Sequence, residues 1–288
     1  MPGVSIPPFL TLPDGVEGTT FETECGPIAA LDTRRLDADP RGSALLVPGF
    51  TGSKEDFIAA MVPIARLGVR AVAVDLPGQY ESPVADHALS MSGLAAAVRA
   101  VAARLPRPLV LVGHSFGGLV AGEAVLTDPL ASDGLALVAS GPSALPGSQQ
   151  AVLRHFAGVL DSHGLAAVWQ ARQAMESSAG EHALEPEIQQ FLGRRFLAND
   201  PRSLTSMIDA LCSATDRTEL LAAVAPPTVV VVGSLDDVWP LDQQRDMASR
   251  LGADLVELTD VGHSPAVDAP LAVADAIVSL VGHVGRPR

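Results

Sequence analysis

The run Leu109-Val110-Leu111-Val112-Gly113-His114-Ser115-Phe116-Gly117-Gly118 decides how this 288-residue chain reads. Its first four residues are the apolar stretch of a buried strand, and residues 116–127 suit a helix. The serine between them sits on a sharp strand-to-helix turn that forces its side chain outward. Glycine at 113 and 117 lets helix and strand approach closely. The Gly-x-Ser-x-Gly spacing alone is a weak signal, since chance yields roughly 0.17 such matches in a chain of this composition. The strand before it and the helix behind it give it weight.

Outward from that turn, short apolar runs bounded by Gly and Pro alternate with helical stretches. Ala44–Val47, Val69–Val74, Leu109–Val112, Leu135–Ala139, Val229–Val232 and Leu255–Leu258 read as buried strands. Residues 54–66, 90–104, 116–127, 240–251 and 267–281 read as helices, which makes a βαβ series with a parallel sheet. Thr19–Leu31, broken at Gly26-Pro27, reads as an antiparallel hairpin at the sheet's edge. Between Ala139 and Val229 lie about ninety residues where a crossover needs only a dozen or so. Helices are expected there over Gln149–Leu160, Leu165–Met175, Pro186–Leu197 and Pro201–Leu211, the last behind Asp200 as its N-cap. The expected division is a core of residues 1–142 and 226–288 and a helical cap of 143–225.

A serine hydroxyl attacks poorly at neutral pH unless a base lies in hydrogen-bond reach, itself oriented by a carboxylate. Val229–Val232 runs into Gly233-Ser234-Leu235-Asp236-Asp237, which puts acids at the C-terminal end of a strand, where open parallel sheets carry their sites. The next strand leads to Gly262-His263-Ser264-Pro265. Ser115, Asp236 and His263 follow one another in the order that a nucleophile elbow predicts.

These segments, with Pro48-Gly49-Phe50 after an early strand, resemble the α/β-hydrolase family from about Thr19 to Val281. The resemblance implies a mostly parallel eight-stranded sheet, a helical cap, and a serine hydrolase acting on small to medium carboxylic esters or thioesters through an acyl-enzyme. It favours Asp236 over Asp237 as the acid and assigns the oxyanion hole to the backbone N–H groups of Phe50 and Phe116. The chain departs from the family in having Pro48 where histidine is common and Tyr80 where glycine is common. Serine at 115 disfavours epoxide hydrolases and haloalkane dehalogenases, which use aspartate. Carbon–carbon bond hydrolases, perhydrolases, proline iminopeptidases, the menaquinone-pathway lyase and small-molecule receptors share the layout and stay open as alternatives.

Tyr80, Trp239 and Trp169 are candidates for the substrate pocket, with Phe191, Phe196, Met175 and Met207 as further cap residues. His114 reads as structural, packed under the elbow. A charge of −14, from 19 Lys+Arg against 33 Asp+Glu, excludes nucleic acid and anionic membrane surfaces as partners. Two cysteines, Cys25 and Cys212, make no disulfide framework. His155, His163 and His182 lack paired ligand spacing, so neither metal nor other cofactor is expected. No run qualifies as a membrane span, and the first cation is Arg34, so a cytoplasmic enzyme with a small-molecule substrate is expected, as monomer or homodimer.

Overall fold

The computed structural model describes residues 4–285 apart from 35, 37, 38, 180–183 and 225, with side chains for all of these but 86 and 175–179. Eight strands, β1 (Glu17–Thr23), β2 (Gly26–Asp32), β3 (Ser43–Val47), β4 (Arg70–Val74), β5 (Leu109–His114), β6 (Gly134–Val138), β7 (Thr228–Gly233) and β8 (Asp254–Leu258), form one sheet in the order β1-β2-β4-β3-β5-β6-β7-β8. The β1–β2 and β2–β4 pairings are antiparallel and the others parallel. The hairpin turn uses Gly26 at φ +103, where a side chain would be strained, and Thr23 Oγ1 donates to the Gly26 carbonyl at 2.7 Å.

The central strands are buried on both faces, which is why they read as continuous apolar runs. Leu45, Val47, Leu109 and Leu111 point to one side, against α2 (Met91–Ala102), α3 (Phe116–Thr127) and α8 (Leu241–Leu251). Ala44, Leu46, Val110 and Val112 alternate to the other, against α1 (Ile58–Arg66) and α10 (Pro270–Val284). Each large apolar side chain so buried contributes about 1.5–3 kcal/mol.

Two expected helices are subdivided. Lys54–Phe57 is a 3₁₀ turn that leads into α1. The stretch 267–281 resolves into α9 (Pro265–Asp268) and α10, because Pro270 has no N–H to continue a helix and opens a new one. Between β6 and β7 run α4 (Gly147–Ala179), α5 (Pro186–Leu197), α6 (Pro201–Ser213) and α7 (Thr218–Val224). The two helices expected over 149–175 are one span broken at Gly164 (φ 76, ψ 177). Asp200 caps α6, its side chain accepting from Arg202 N–H at 2.8 Å. Helix α7 was not foreseen from the sequence, and it packs against α3 and α8. Ser203 Oγ–H donates to Pro77 O at 2.9 Å and Asp200 N–H to Gly78 O at 2.8 Å, tying α6 to the loop after β4.

Candidate active site

Ser115 stands at the tip of β5 with φ 54 and ψ −121, a strained conformation for a residue with a side chain. The glycines around it permit this. A Cβ at Gly113 would lie 2.4 Å from Gly117 O, and one at Gly117 would lie 2.3 Å from Val47 O and 2.6 Å from Pro48 O. Helix α3 therefore presses on both β5 and the end of β3, and Ser115 N–H donates to Val138 O at 2.9 Å.

The acid and the histidine come from loops locked to one another. Ser234 N–H donates to Leu258 O and Leu235 N–H to Val261 O, both at 2.9 Å. A Cβ at Gly233 would sit 2.3 Å from Val261 O, so the two loops touch backbone to backbone. Asp236 is fully enclosed, whereas Asp237 is exposed. Asp236 Oδ1 accepts from Val238 N–H at 2.9 Å and Oδ2 from the Gln244 amide at 3.0 Å. His263 Nδ1 lies 2.9 Å from Asp236 Oδ1, and Nε2 lies 2.9 Å from Ser115 Oγ. A carboxylate only accepts, so Nδ1 carries the proton and Nε2 is left to accept from the Ser115 hydroxyl. Burial pushes the Asp236 pKa up, but the His263 bond and charge, with the Val238 and Gln244 donors, hold it below the usual carboxylate value.

His114 lies beneath this pair. Its Nε2 is 2.7 Å from His263 O, and since a carbonyl only accepts, His114 is the donor. Burial, reinforced by the neighbouring His263, lowers its pKa to about 4, so the ring stays neutral. Gln244, on α8, also donates to Trp239 O at 3.0 Å and is wholly buried. No residue-type pattern in the sequence flags it, because it reaches Asp236 from eight positions away across a loop and a helix start.

The loop after β3 lies against the serine: a Cβ at Gly49 would be 3.1 Å from Ser115 Cβ. Gly49 O accepts from Gly52 N–H at 3.1 Å and from the Gln79 amide at 2.8 Å. The N–H groups of Phe50 and Phe116 have no acceptor among the described residues. The loop's far end is held by Lys54, buried against Asp75 at 2.9 Å and Glu55 at 3.0 Å, with Glu81 at 2.7 Å. Burial, partly offset by Lys54, pushes the Asp75 pKa up to about 7.

A narrow cleft of about 40 Å³ opens at Ser115 and His263, bordered by Phe50, Leu145, Leu211 and Trp239 among others. Of the sequence-read pocket candidates, Trp239 reaches it. Tyr80 and Trp169 do not line it. Tyr80 lies under Lys54, 4.6 Å from Nζ to ring centre, and against Phe191 at 5.7 Å, with φ 39 at the position where the family favours glycine. Trp169 stacks on Phe196 at 5.6 Å, and Phe156 joins Phe196 to Phe50. These aromatics pack the helices together, as apolar residues at helical spacing usually do. Met207 is buried; the side chain of Met175 and all of His182 lie outside the described residues. A larger cleft, about 330 Å³, lies between α3, α6, α7 and α8 and shares no lining residue with the first. Among the described residues, no group of three or more His, Cys, Asp or Glu could hold a metal, and no helix is long and apolar enough to cross a membrane.

An eight-stranded, mostly parallel sheet with a serine, a histidine and a carboxylate gathered at its C-terminal edge defines a hydrolase class. The family model described as "Alpha/beta hydrolase family" matches residues 44–276. The chain belongs to that family and is a hydrolytic enzyme. It is 30% identical over 236 residues to a protein of Aeromonas hydrophila named pimeloyl-[acyl-carrier protein] methyl ester esterase, covering 77% of this chain and 89% of that one. A protein of the same name from Aeromonas salmonicida is 31% identical over 221 residues, covering 73% and 84%. Among solved structures, a thermophilic esterase from Thermogutta terrifontis superposes with a TM-score of 0.72 at 24% identity, covering 94% of this chain and all of that one.

Proposed function

We propose that this chain hydrolyses small carboxylic esters through an acyl-enzyme on Ser115. The observation that carries the reading is the unbroken hydrogen-bond chain from Ser115 Oγ through His263 to Asp236, 2.9 Å at each step. His263 Nε2 takes the serine proton as Oγ attacks the ester carbon, and the N–H groups of Phe50 and Phe116 receive the developing oxyanion. His263 then passes that proton to the departing alkoxide, which leaves as the alcohol. Water, deprotonated by the same nitrogen, attacks the acyl carbon, and His263 returns that proton to Ser115 Oγ as the bond breaks and the acid leaves. Asp236 remains ionised, keeps the Nδ1 proton in place and offsets the positive charge that His263 carries in each transition state.

Ester cleavage is also what the names of the Aeromonas relatives describe, and a methyl ester is the simplest member of the class. A cleft of about 40 Å³ suits short substituents, and its apolar border suits neutral ones. Helices α4 to α6 are assigned the part of a cap over the cleft, since Leu153 of α4 and Leu211 of α6 border it. The reading is tested by titrating acid release from methyl butyrate with the purified protein and with Ser115→Ala, and by labelling both with a fluorophosphonate. Turnover and labelling are expected in the wild type and neither in the variant; acid release by Ser115→Ala overturns the mechanism.

A further inference from the structure

Among the described residues before β1, 4–16, none joins the sheet, yet Val4 and Ser5 lie at the catalytic edge. Val4 lines the cleft that holds Ser115 and His263. Ser5, only 4% exposed, is held from two directions. Its hydroxyl is 2.9 Å from the hydroxyl of Ser264, the residue that follows His263, and its carbonyl accepts from Arg195 Nη2 at 2.9 Å. Arg195 belongs to α5 and is itself 1% exposed. Its other terminal nitrogen is 2.5 Å from Asp56 Oδ1 and 3.4 Å from Ser53 Oγ, at the end of the loop that carries Phe50. One buried guanidinium thus fastens the N-terminal segment, α5 and the Phe50 loop together. A buried Arg with its donors satisfied is a stiff fixture, because freeing any of its partners leaves a charge or a carbonyl unpaired in the interior.

The position of Val4 has a chemical meaning that rests on the reading of Ser115 and His263 given above. The oxygen of the leaving alcohol must come within hydrogen-bond reach of His263 Nε2 to receive its proton. Val4 is seated, through Ser5, against the residue next to that histidine. We infer that the N-terminal segment is the wall of the site on the alcohol side, and that Val4 limits the size of the alcohol in the esters this enzyme cleaves.

The test is a series of butyrate esters, methyl, ethyl, butyl and hexyl, followed by acid release for the wild type, Val4→Ala and Val4→Phe. Small hydrophobic differences in such pockets are worth about tenfold in kcat/KM. Val4→Ala is expected to raise the butyl-to-methyl ratio of kcat/KM about tenfold, and Val4→Phe to lower the ethyl-to-methyl ratio by a similar factor. Both should keep the wild-type melting temperature and should still be labelled by the fluorophosphonate, which shows that Ser115 remains reactive. Ratios within about twofold of wild type in both variants overturn the inference while leaving the proposed mechanism untouched. A shift along an acyl series, methyl acetate to methyl hexanoate, with the alcohol series unmoved also overturns it. Loss of the mechanism itself would show instead as activity surviving Ser115→Ala.

Discussion

His114 donates its Nε2 proton to the carbonyl oxygen of His263 across 2.7 Å. The residue that precedes the candidate nucleophile therefore holds the backbone of the candidate base, and the two loops of the site are coupled without any contact to the reacting atoms. Burial and the neighbouring His263 keep that donor a neutral imidazole.

The pH dependence of stability follows from this. Burial and His263 bring the His114 pKa to about 4 in the folded chain, against an ordinary value of 6.5. Between those values the unfolded chain binds the extra proton, so the contribution is complete above about pH 6.5 and is lost as pH falls to about 4. His114→Gln keeps an amide donor for the carbonyl but does not titrate. Urea unfolding should show the wild type losing about 3 kcal/mol relative to this variant across that window. Parallel pH profiles for the two proteins would refute it.

Asp236 and Asp237 are adjacent, but only Asp236 reaches His263. Asp236→Asn is expected to lower kcat by about 10⁴, because the amide favours the wrong imidazole tautomer, while Asp237→Asn stays within about twofold. Steady-state rates on methyl butyrate, with circular dichroism to verify folding, distinguish the two.

Gln244 supplies a donor to Asp236 Oδ2 from inside the core. Gln244→Leu removes it and leaves the enclosed carboxylate with one charge-assisted bond fewer, a loss of about 1.5–3 kcal/mol. A fall in kcat of at least about tenfold, with the acid limb of the pH–rate profile moved to higher pH, is the expected result. An unmoved limb would mean that Gln244 serves packing alone.

At Gly117 a methyl group would meet two backbone oxygens that cannot turn aside. Gly117→Ala should cost about 2 kcal/mol through overpacking, visible as a melting temperature lower by roughly 5 °C, and should slow fluorophosphonate labelling because the turn at Ser115 must shift. Unchanged melting and labelling would contradict the packing described.

Removing one partner of the buried Arg195–Asp56 pair leaves the other charge unpaired. Arg195→Met alone is expected to lose about 3–5 kcal/mol, and the double variant Arg195→Met with Asp56→Leu to recover much of it. Thermal unfolding of the single and double variants measures the recovery, and an additive loss would show that the pair is not a closed unit.

Much of the fold was legible because burial on both faces leaves the central strands as apolar runs such as Leu109–Val112, and because Gly and Pro mark their ends. Ser115, Asp236 and His263 were legible because each follows a strand at the same sheet edge. Helix α7 is not legible because its seven residues are too few to display a helical period. The change from 3₁₀ turn to helix after Phe57 depends on backbone geometry that a periodicity cannot resolve, whereas the break at Pro270 is marked by the proline itself.

The sequence by itself determined the sheet, the elbow and the order of the three candidate catalytic side chains, since strand burial and the glycines at 113 and 117 are local demands. Tertiary structure alone decided the rest. It brought the Gln244 amide to Asp236 and the His114 ring to the His263 carbonyl, kept Tyr80 and Trp169 out of the cleft lining and set Val4 at its border. Those outcomes rest on contacts such as Ser5 to Arg195, made between residues far apart along the chain. Only packing fixes them, because no spacing of residue types in the sequence encodes which distant hydrogen-bond partner a buried polar group will find.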